Sequence, residues 1–249
     1  MSTRFFGSPN GRKSFLYFLR GLMFNRTFRQ MRALVLFKGT GSVDRSLEAH
    51  GFKVDSLDMV KKFNATWTSD ILNWEDWRSI EPGTYDFIWA SPPCTQYSCA
   101  RTTAKTPRNL ELADSIVART LLIIRYLAPK GWLMENPATG LLKTREIVAG
   151  IPFRDVCYCK YSDGIRHKYK KPTRLWGHLP GFEPRPMCTG ESRCEFFQDK
   201  KHPCSAQRFD QIRREIKFTL QDLYSMPQAL TDDIAKAARQ ISSYDGGLA

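Results

Sequence analysis

Three groups of residues in this 249-residue chain have types and spacings that can do chemistry. The first is Cys94, which ends the run Ser91-Pro92-Pro93-Cys94 and is followed by Thr95-Gln96-Tyr97-Ser98. A cysteine acts as a nucleophile through its thiolate, and it needs a partly exposed polar setting, not the interior that makes a thiol inert. A proline-containing polar loop is such a setting. The second group is Phe37-Lys38-Gly39-Thr40-Gly41-Ser42, whose glycines permit a tight turn and a close backbone approach to a ligand. Asp58, about 20 residues further on, suits the hydroxyls of a ribose. Asp70, next to Ile71, can accept from an adenine amino group or cap the turn that follows it. The third group is Cys188, Cys194, His202 and Cys204. Ligands this dense, in a segment too small to own a core, suggest a structural zinc. Cys159 could complete a Cys3His set in place of Cys204; the alternative is that these are reduced thiols in a loop.

The elements around these groups read as an alternating β/α chain. Ala33–Phe37 is apolar enough for a buried strand and leads into the glycine turn, and a helix follows near Val43–His50, ending at Gly51. Lys53–Leu57 forms a second strand that closes on Asp58, and Tyr85–Ala90 a third that runs into the Cys94 loop. Arg108–Leu127 has helical periodicity and is stopped by Pro129-Lys130-Gly131. Trp132-Leu133-Met134 is a strand that opens into Glu135-Asn136-Pro137, followed by strands at Phe153–Lys160 and Pro172–Gly177. Ligands bind at the carboxyl ends of parallel strands, and the glycine turn, Asp58, Cys94 and Glu135 all fall at such ends. Four regions are expected: a basic arm with an amphipathic helix over 1–30, a core over 31–177, an irregular Cys/His-rich insertion over 178–207, and C-terminal helices over 208–249, broken at Met226-Pro227.

The loop Pro92-Pro93-Cys94-Thr95-Gln96-Tyr97-Ser98 resembles the nucleophile loop of cytosine-5 DNA methyltransferases, which reads Pro-Cys, two residues, an aromatic, then Ser. Forty-one positions beyond Cys94, Glu135-Asn136-Pro137 resembles that family's Glu-Asn-Val motif, and the order of glycine turn, Pro-Cys loop and Glu-Asn strand end is the family's order. The resemblance covers Leu34 to Trp176. It implies an α/β fold: a Rossmann-like class I methyltransferase sheet with helices on both faces, binding S-adenosylmethionine. Phe37, Gly39, Thr40, Gly41, Asp58, Asp70, Ile71 and Pro92 would line the cofactor, and Pro93, Ser98, Arg101 and Asn136 the substrate. Cys94 would add to C6 of cytosine, making C5 able to accept a methyl group, while Glu135 donates a proton at N3. The segment Tyr169-Lys170-Lys171-Pro172-Thr173-Arg174-Leu175-Trp176 resembles a third motif, Pro-Gln-x-Arg-x-Arg, with Thr173 where glutamine is expected. Its last arginine holds the cytosine carbonyl, a role that falls here to Arg174, out of register. Tyr224-Ser225-Met226-Pro227-Gln228-Ala229-Leu230 resembles the segment that closes the cofactor pocket.

The formal charge of +13 favours a polyanionic partner, because phosphate contacts release condensed counterions. No Asp or Glu precedes Asp44, whereas Arg4, Arg12, Lys13, Arg20, Arg26, Arg29, Arg32 and Lys38 do, so a phosphate-contacting arm is expected. An Arg-rich, acid-poor start also fits organellar targeting. Seven cysteines without a secretory signal point to a reducing compartment, cytoplasm or nucleus, and no segment is long enough to span a membrane. DNA is the expected partner, with the target cytosine flipped out of a duplex. The insertion is small for a target-recognition region, so readout should be short, or a protein partner should supply specificity. RNA or a free cytidine nucleotide as substrate, and a silent zinc-stabilised nucleic-acid-binding module, are the competing readings.

Overall fold

The computed structural model describes residues 29–99, 101, 104–197, 202 and 223–241. The chain divides at Gln30, and the sheet, its helices and the cleft they form all belong to the unit Met31–Ala249. The basic arm over 1–30, Cys204, and the helix expected over 208–222 lie outside the described residues, apart from the arm's last two positions.

Seven strands form one sheet: β1 (Arg32–Leu36), β2 (Lys53–Asp58), β3 (Trp67–Thr68), β4 (Phe87–Ala90), β5 (Gly131–Pro137), β6 (Phe153–Cys157) and β7 (Pro172–His178), in the order β3-β2-β1-β4-β5-β7-β6. The first five are parallel, and β7 is antiparallel to both neighbours. Order reverses between β1 and β4, which opens a crevice at their carboxyl ends. The helices are α1 (Ser42–Ala49), α2 (Leu110–Leu127) and α3 (Gln228–Gln240). None among the described residues is long and apolar enough to cross a membrane.

Strand alternation sorts the core into two layers. Ala33, Val35, Phe87, Trp89 and Leu133 pack with Val43 and Leu47 of α1 and Leu230 and Ile234 of α3. Leu34, Leu36, Ile88, Ala90 and Met134 pack instead with Val117, Ile123 and Ile124 of α2. Both faces are therefore covered, which is why the parallel strands read as continuous apolar runs. Ser46 and Thr231, buried between α1 and α3, hydrogen-bond to each other at 2.6 Å and satisfy each other's hydroxyls.

Two features depart from the sequence reading. β3 has only two residues, too short for periodicity to reveal. The strand expected over Phe153–Lys160 stops at Cys157, and the chain winds into a 3-10 turn, Tyr158–Tyr161. A continued strand would send Tyr158 and Cys159 to opposite faces. The turn instead buries Tyr158 and Tyr161 against the α3 layer and Cys159 against Cys188.

Gly177 in β7 has φ +125°, and a Cβ there would overlap the Trp132 carbonyl oxygen and lie 2.8 Å from Trp132 Cε3. Backbone strain and backbone overlap act together at this position. Gly177→Ala is expected to lower unfolding stability by about 2 kcal/mol or more. Urea denaturation measures this, and a loss under about 0.5 kcal/mol would show that the β5–β7 pairing is not so constrained.

Candidate active site

The parallel register that pairs Ala90 with Met134 brings two distant chain segments together: the loop leaving β4, with Cys94, and the end of β5, with Glu135. A cleft of about 1530 Å³ opens there and runs to the ends of β1 and β2. Of the expected residues, Phe37, Gly39, Thr40, Asp58, Asp70, Ile71, Pro92, Pro93, Cys94, Ser98, Arg101 and Glu135 line it. Leu223, Tyr224 and Met226, just before α3, form part of its wall.

At the β1 end, Phe37 sits in the left-handed region (φ 64°), a strained conformation for an aromatic residue that costs about 1–3 kcal/mol. Its N–H and that of Lys38 both donate to the Leu57 carbonyl, at 2.8 and 3.1 Å. Asp58 accepts from the N–H groups of Gly39 (2.9 Å) and Val60 (2.8 Å), so its carboxylate first of all shapes the loop. Each oxygen keeps a lone pair for a hydroxyl in the cleft. Asp70 accepts from Leu72 N–H at 3.0 Å; it caps the turn and lines the cleft as well.

The Cys94 loop is held from several sides. Tyr97 N–H donates to the Cys94 carbonyl, and the buried Tyr97 hydroxyl donates to Asp114, which also takes a bidentate pair from Arg145. Arg108 donates to the carbonyls of Gln96 (2.6 Å) and Ser98 (2.9 Å). Cys94 itself remains half-buried and faces the cleft. Burial pushes its thiol pKa up, the Glu135 carboxyl adds to this, and the Lys171 ammonium opposes it. Burial likewise raises Glu135, with Lys171 again opposing. Tyr158, buried in the cleft wall, is pushed up by the same desolvation and by Glu135. A carboxyl that resists ionisation can donate a proton, and a thiol beside it can add to an electron-poor ring carbon once deprotonated.

Three expected residues have other jobs. Gly41 lies outside this cleft; it caps α1 in the left-handed conformation (φ 70°), its N–H donating to the Lys38 carbonyl. Asn136 is fully buried and does not line the cleft; its Nδ2 donates to the Pro92 carbonyl at 2.9 Å, tying the end of β5 to the Cys94 loop. Arg174 is also absent from the cleft. Its guanidinium makes a bidentate pair with Asp155 at 2.7 and 2.8 Å and stacks 3.6 Å from the Phe153 ring centroid. The cytosine-carbonyl role expected for Arg174 is thereby corrected, because strand pairing commits it to β6. The residue missed was Lys171, which lines the cleft, lies 4.4 Å from the Tyr158 ring centroid and donates to the Leu223 carbonyl at 3.1 Å. The lysine pair at the start of β7 was the only sequence signal for it.

On the far side of the Tyr158–Tyr161 turn, ligand atoms of Cys159, Cys188, Cys194 and His202 all lie within 4.8 Å of one another. These are the residues of the expected Cys3His set. Cys194 Sγ and His202 Nε2 are 3.3 Å apart.

No protein-family model matches the chain. It is, however, 34% identical to the "Probable DNA (cytosine-5)-methyltransferase" of Frog virus 3 (isolate Goorha) over 175 residues, covering 66% of this chain and 78% of the viral protein. The chain belongs to the DNA (cytosine-5)-methyltransferase family. Its sheet is the Rossmann-like class I methyltransferase sheet that the motifs implied. Among solved structures it is similar to the methyltransferase EhMeth of Entamoeba histolytica, at 16% identity over 69% of this chain and 61% of that one, TM-score 0.46. It is also similar to a DNMT2 mutant of Spodoptera frugiperda, at 14% identity over 64% and 53%, TM-score 0.39.

The charges around the thiol set a pH dependence. Glu135→Gln removes a negative neighbour, so the thiolate forms at lower pH, and Lys171→Met removes a positive one, so it forms at higher pH. The midpoint of Cys94 alkylation by iodoacetamide, followed by peptide mass mapping, should fall by about one pH unit in the first variant and rise by a similar amount in the second. Midpoints that stay put in both would mean that neither group faces the thiol.

Proposed function

We propose that this protein transfers a methyl group from S-adenosylmethionine to C5 of cytosine in DNA. The observation that carries the proposal is the placing of the Cys94 thiol and the Glu135 carboxyl in one cleft, in a chain of this family. The cleft suits the cofactor: the Asp58 carboxylate fits the ribose, Asp70 and Ile71 the adenine, and Phe37, Gly39 and Thr40 the methionine side. The cofactor supplies an electrophilic methyl group.

Cys94 Sγ, as thiolate, adds to C6 of the ring and opens the C5–C6 double bond. Glu135 gives its proton to N3, so the adduct is a neutral enamine with a nucleophilic C5. Once C5 has taken the methyl group, with the bond from that methyl to the donor sulfur broken, loss of the C5 proton to a base expels the thiolate, and N3 returns its proton to Glu135. Lys171 is the cation that stabilises the thiolate before addition and the ring carbonyl during it. The +13 charge supports nucleic acid over a free nucleotide. Cys159, Cys188, Cys194 and His202 have the ligand types of a structural zinc, which softer thiolates select.

Covalent trapping tests this reading. The wild-type protein with S-adenosylmethionine should form a stable adduct with duplex DNA containing 5-fluorocytosine, because fluorine at C5 cannot leave as a proton. Cys94→Ala should form none, and Lys171→Met should form it about 100-fold more slowly. Arg174→Lys should react at the wild-type rate. No adduct from the wild-type protein would overturn the nucleophile assignment, and faster label transfer to RNA or dCMP than to DNA would overturn the substrate.

A further inference from the structure

The Cys/His cluster and the catalytic cleft share one short turn. β6 and β7 pair Val156 with Thr173 and Cys157 with Pro172, and at the next step Tyr158 N–H still donates to the Lys171 carbonyl at 3.2 Å. There the chain leaves the sheet. Tyr158 goes into the cleft wall under the Lys171 ammonium, and the following residue, Cys159, points its thiol to Cys188, Cys194 and His202. The same turn is fastened to the insertion at other points. Lys160 Nζ donates to Ser192 Oγ and the Arg193 carbonyl, both at 3.2 Å; Arg185 N–H donates to the Tyr161 hydroxyl at 2.7 Å, and its guanidinium to the Lys160 carbonyl at 2.9 Å.

The described part of the insertion after β7, residues 179–197, contains no helix or strand. Such a segment holds its shape through cross-links more than through a core. Its grip on the Tyr158–Tyr161 turn is shared between the polar ties of Lys160, Tyr161 and Arg185 and the Cys159 anchor, which is the one next to Tyr158. The cofactor side of the cleft stands apart from this: Phe37, Gly39, Asp58 and Ile71 are carried by β1, β2 and the segment after β3, with no residue of the cluster among them.

We infer that metal ligation at Cys159 positions Tyr158 and Lys171, so that the metal governs the covalent step at Cys94 while leaving cofactor binding alone. Cys159 is thus a positioning residue, acting through its neighbour in sequence. The inference rests on the zinc reading of the cluster, and its test separates the two. A displacement of about 1 Å at a reacting site can cost about 100-fold in rate, whereas a cofactor pocket carried mainly by other strands is disturbed far less.

The test uses the full chain and three readouts: zinc content by mass spectrometry, S-adenosylmethionine affinity by equilibrium dialysis, and the single-turnover rate of adduct formation on 5-fluorocytosine DNA. Cys188→Ser should lose the zinc, keep the cofactor affinity within about threefold, and form the adduct about 10–100-fold more slowly. His202→Cys, which restores a ligand, should retain zinc and the wild-type adduct rate. Should Cys188→Ser not fold, stripping wild-type protein with a chelator and adding Zn²⁺ back gives the same comparison, with the rate expected to fall and recover. An unchanged adduct rate after metal loss overturns the positioning role. Equal collapse of cofactor affinity and adduct rate also overturns it, by making the metal a general staple of the fold. Wild-type protein that holds no zinc and takes up none overturns the metal reading and this inference together, and leaves the Cys94 chemistry standing.

Discussion

The hydrogen bond from Asn136 Nδ2 to the Pro92 carbonyl joins the two halves of the candidate site. Cys94 and Glu135 belong to loops that leave adjacent parallel strands, and parallel pairing alone fixes only where the strands end. Beyond those ends, the backbone of Pro92-Pro93-Cys94 needs a partner, since prolines bring no N–H of their own. The buried Asn136 amide supplies one donor to that loop from the residue next to Glu135. Breaking a buried bond of this kind costs about 1–3 kcal/mol, and here the loss would fall on the spacing between thiol and carboxyl. An asparagine that never touches the cleft is therefore as much a condition of the site as the residues that do.

Given that spacing, burial sets the protonation states. Desolvation raises the pKa of both the Glu135 carboxyl and the Cys94 thiol, and the Glu135 charge adds to the rise at the thiol. For the proposed chemistry this direction favours the acid and disfavours the nucleophile. Lys171 is the group that works the other way on both, lowering the thiol and the carboxyl alike. Its ammonium lies over the face of Tyr158 and donates to the Leu223 carbonyl, so the segment before α3 also holds the cation in place. A lysine can do this as a point charge, without the planar fork that an arginine would need to satisfy.

The sequence carried the parts of the fold that have a period or a punctuation mark. Apolar runs at Ala33, Phe87 and Leu133 and the amphipathic stretch before Pro129 became a sheet with helices on both faces. The meeting of Cys94 and Glu135 in one cleft was legible because loop composition and strand-end position agreed. Arg174 was misplaced for a reason that no motif contains: its direction depends on the antiparallel register of β7, which sets it opposite Asp155. The motif resemblance implied a substrate contact for Asn136, but alternation along β5 turns it inward, to the loop. The break after Cys157 was hidden because Tyr158 and Cys159 suit a strand by propensity. What ends the strand there is tertiary: tyrosines packing under α3, and thiols meeting a segment far along the chain.

That break explains why a small insertion can matter to the reaction. In place of a large target-recognition region, the chain has a short irregular segment, and its described part grips the back of the turn that bears Tyr158. Lys160, Tyr161 and Arg185 form polar ties between them, and Cys157, Cys159 and Cys188 form a buried sulfur-rich patch with Met187, Phe196 and Phe197. For the proposed DNA substrate, a chain of +13 is well supplied to make phosphate contacts. The insertion serves the proposed chemistry as a buttress first, because the turn it supports carries the tyrosine on which the cation at the thiol rests.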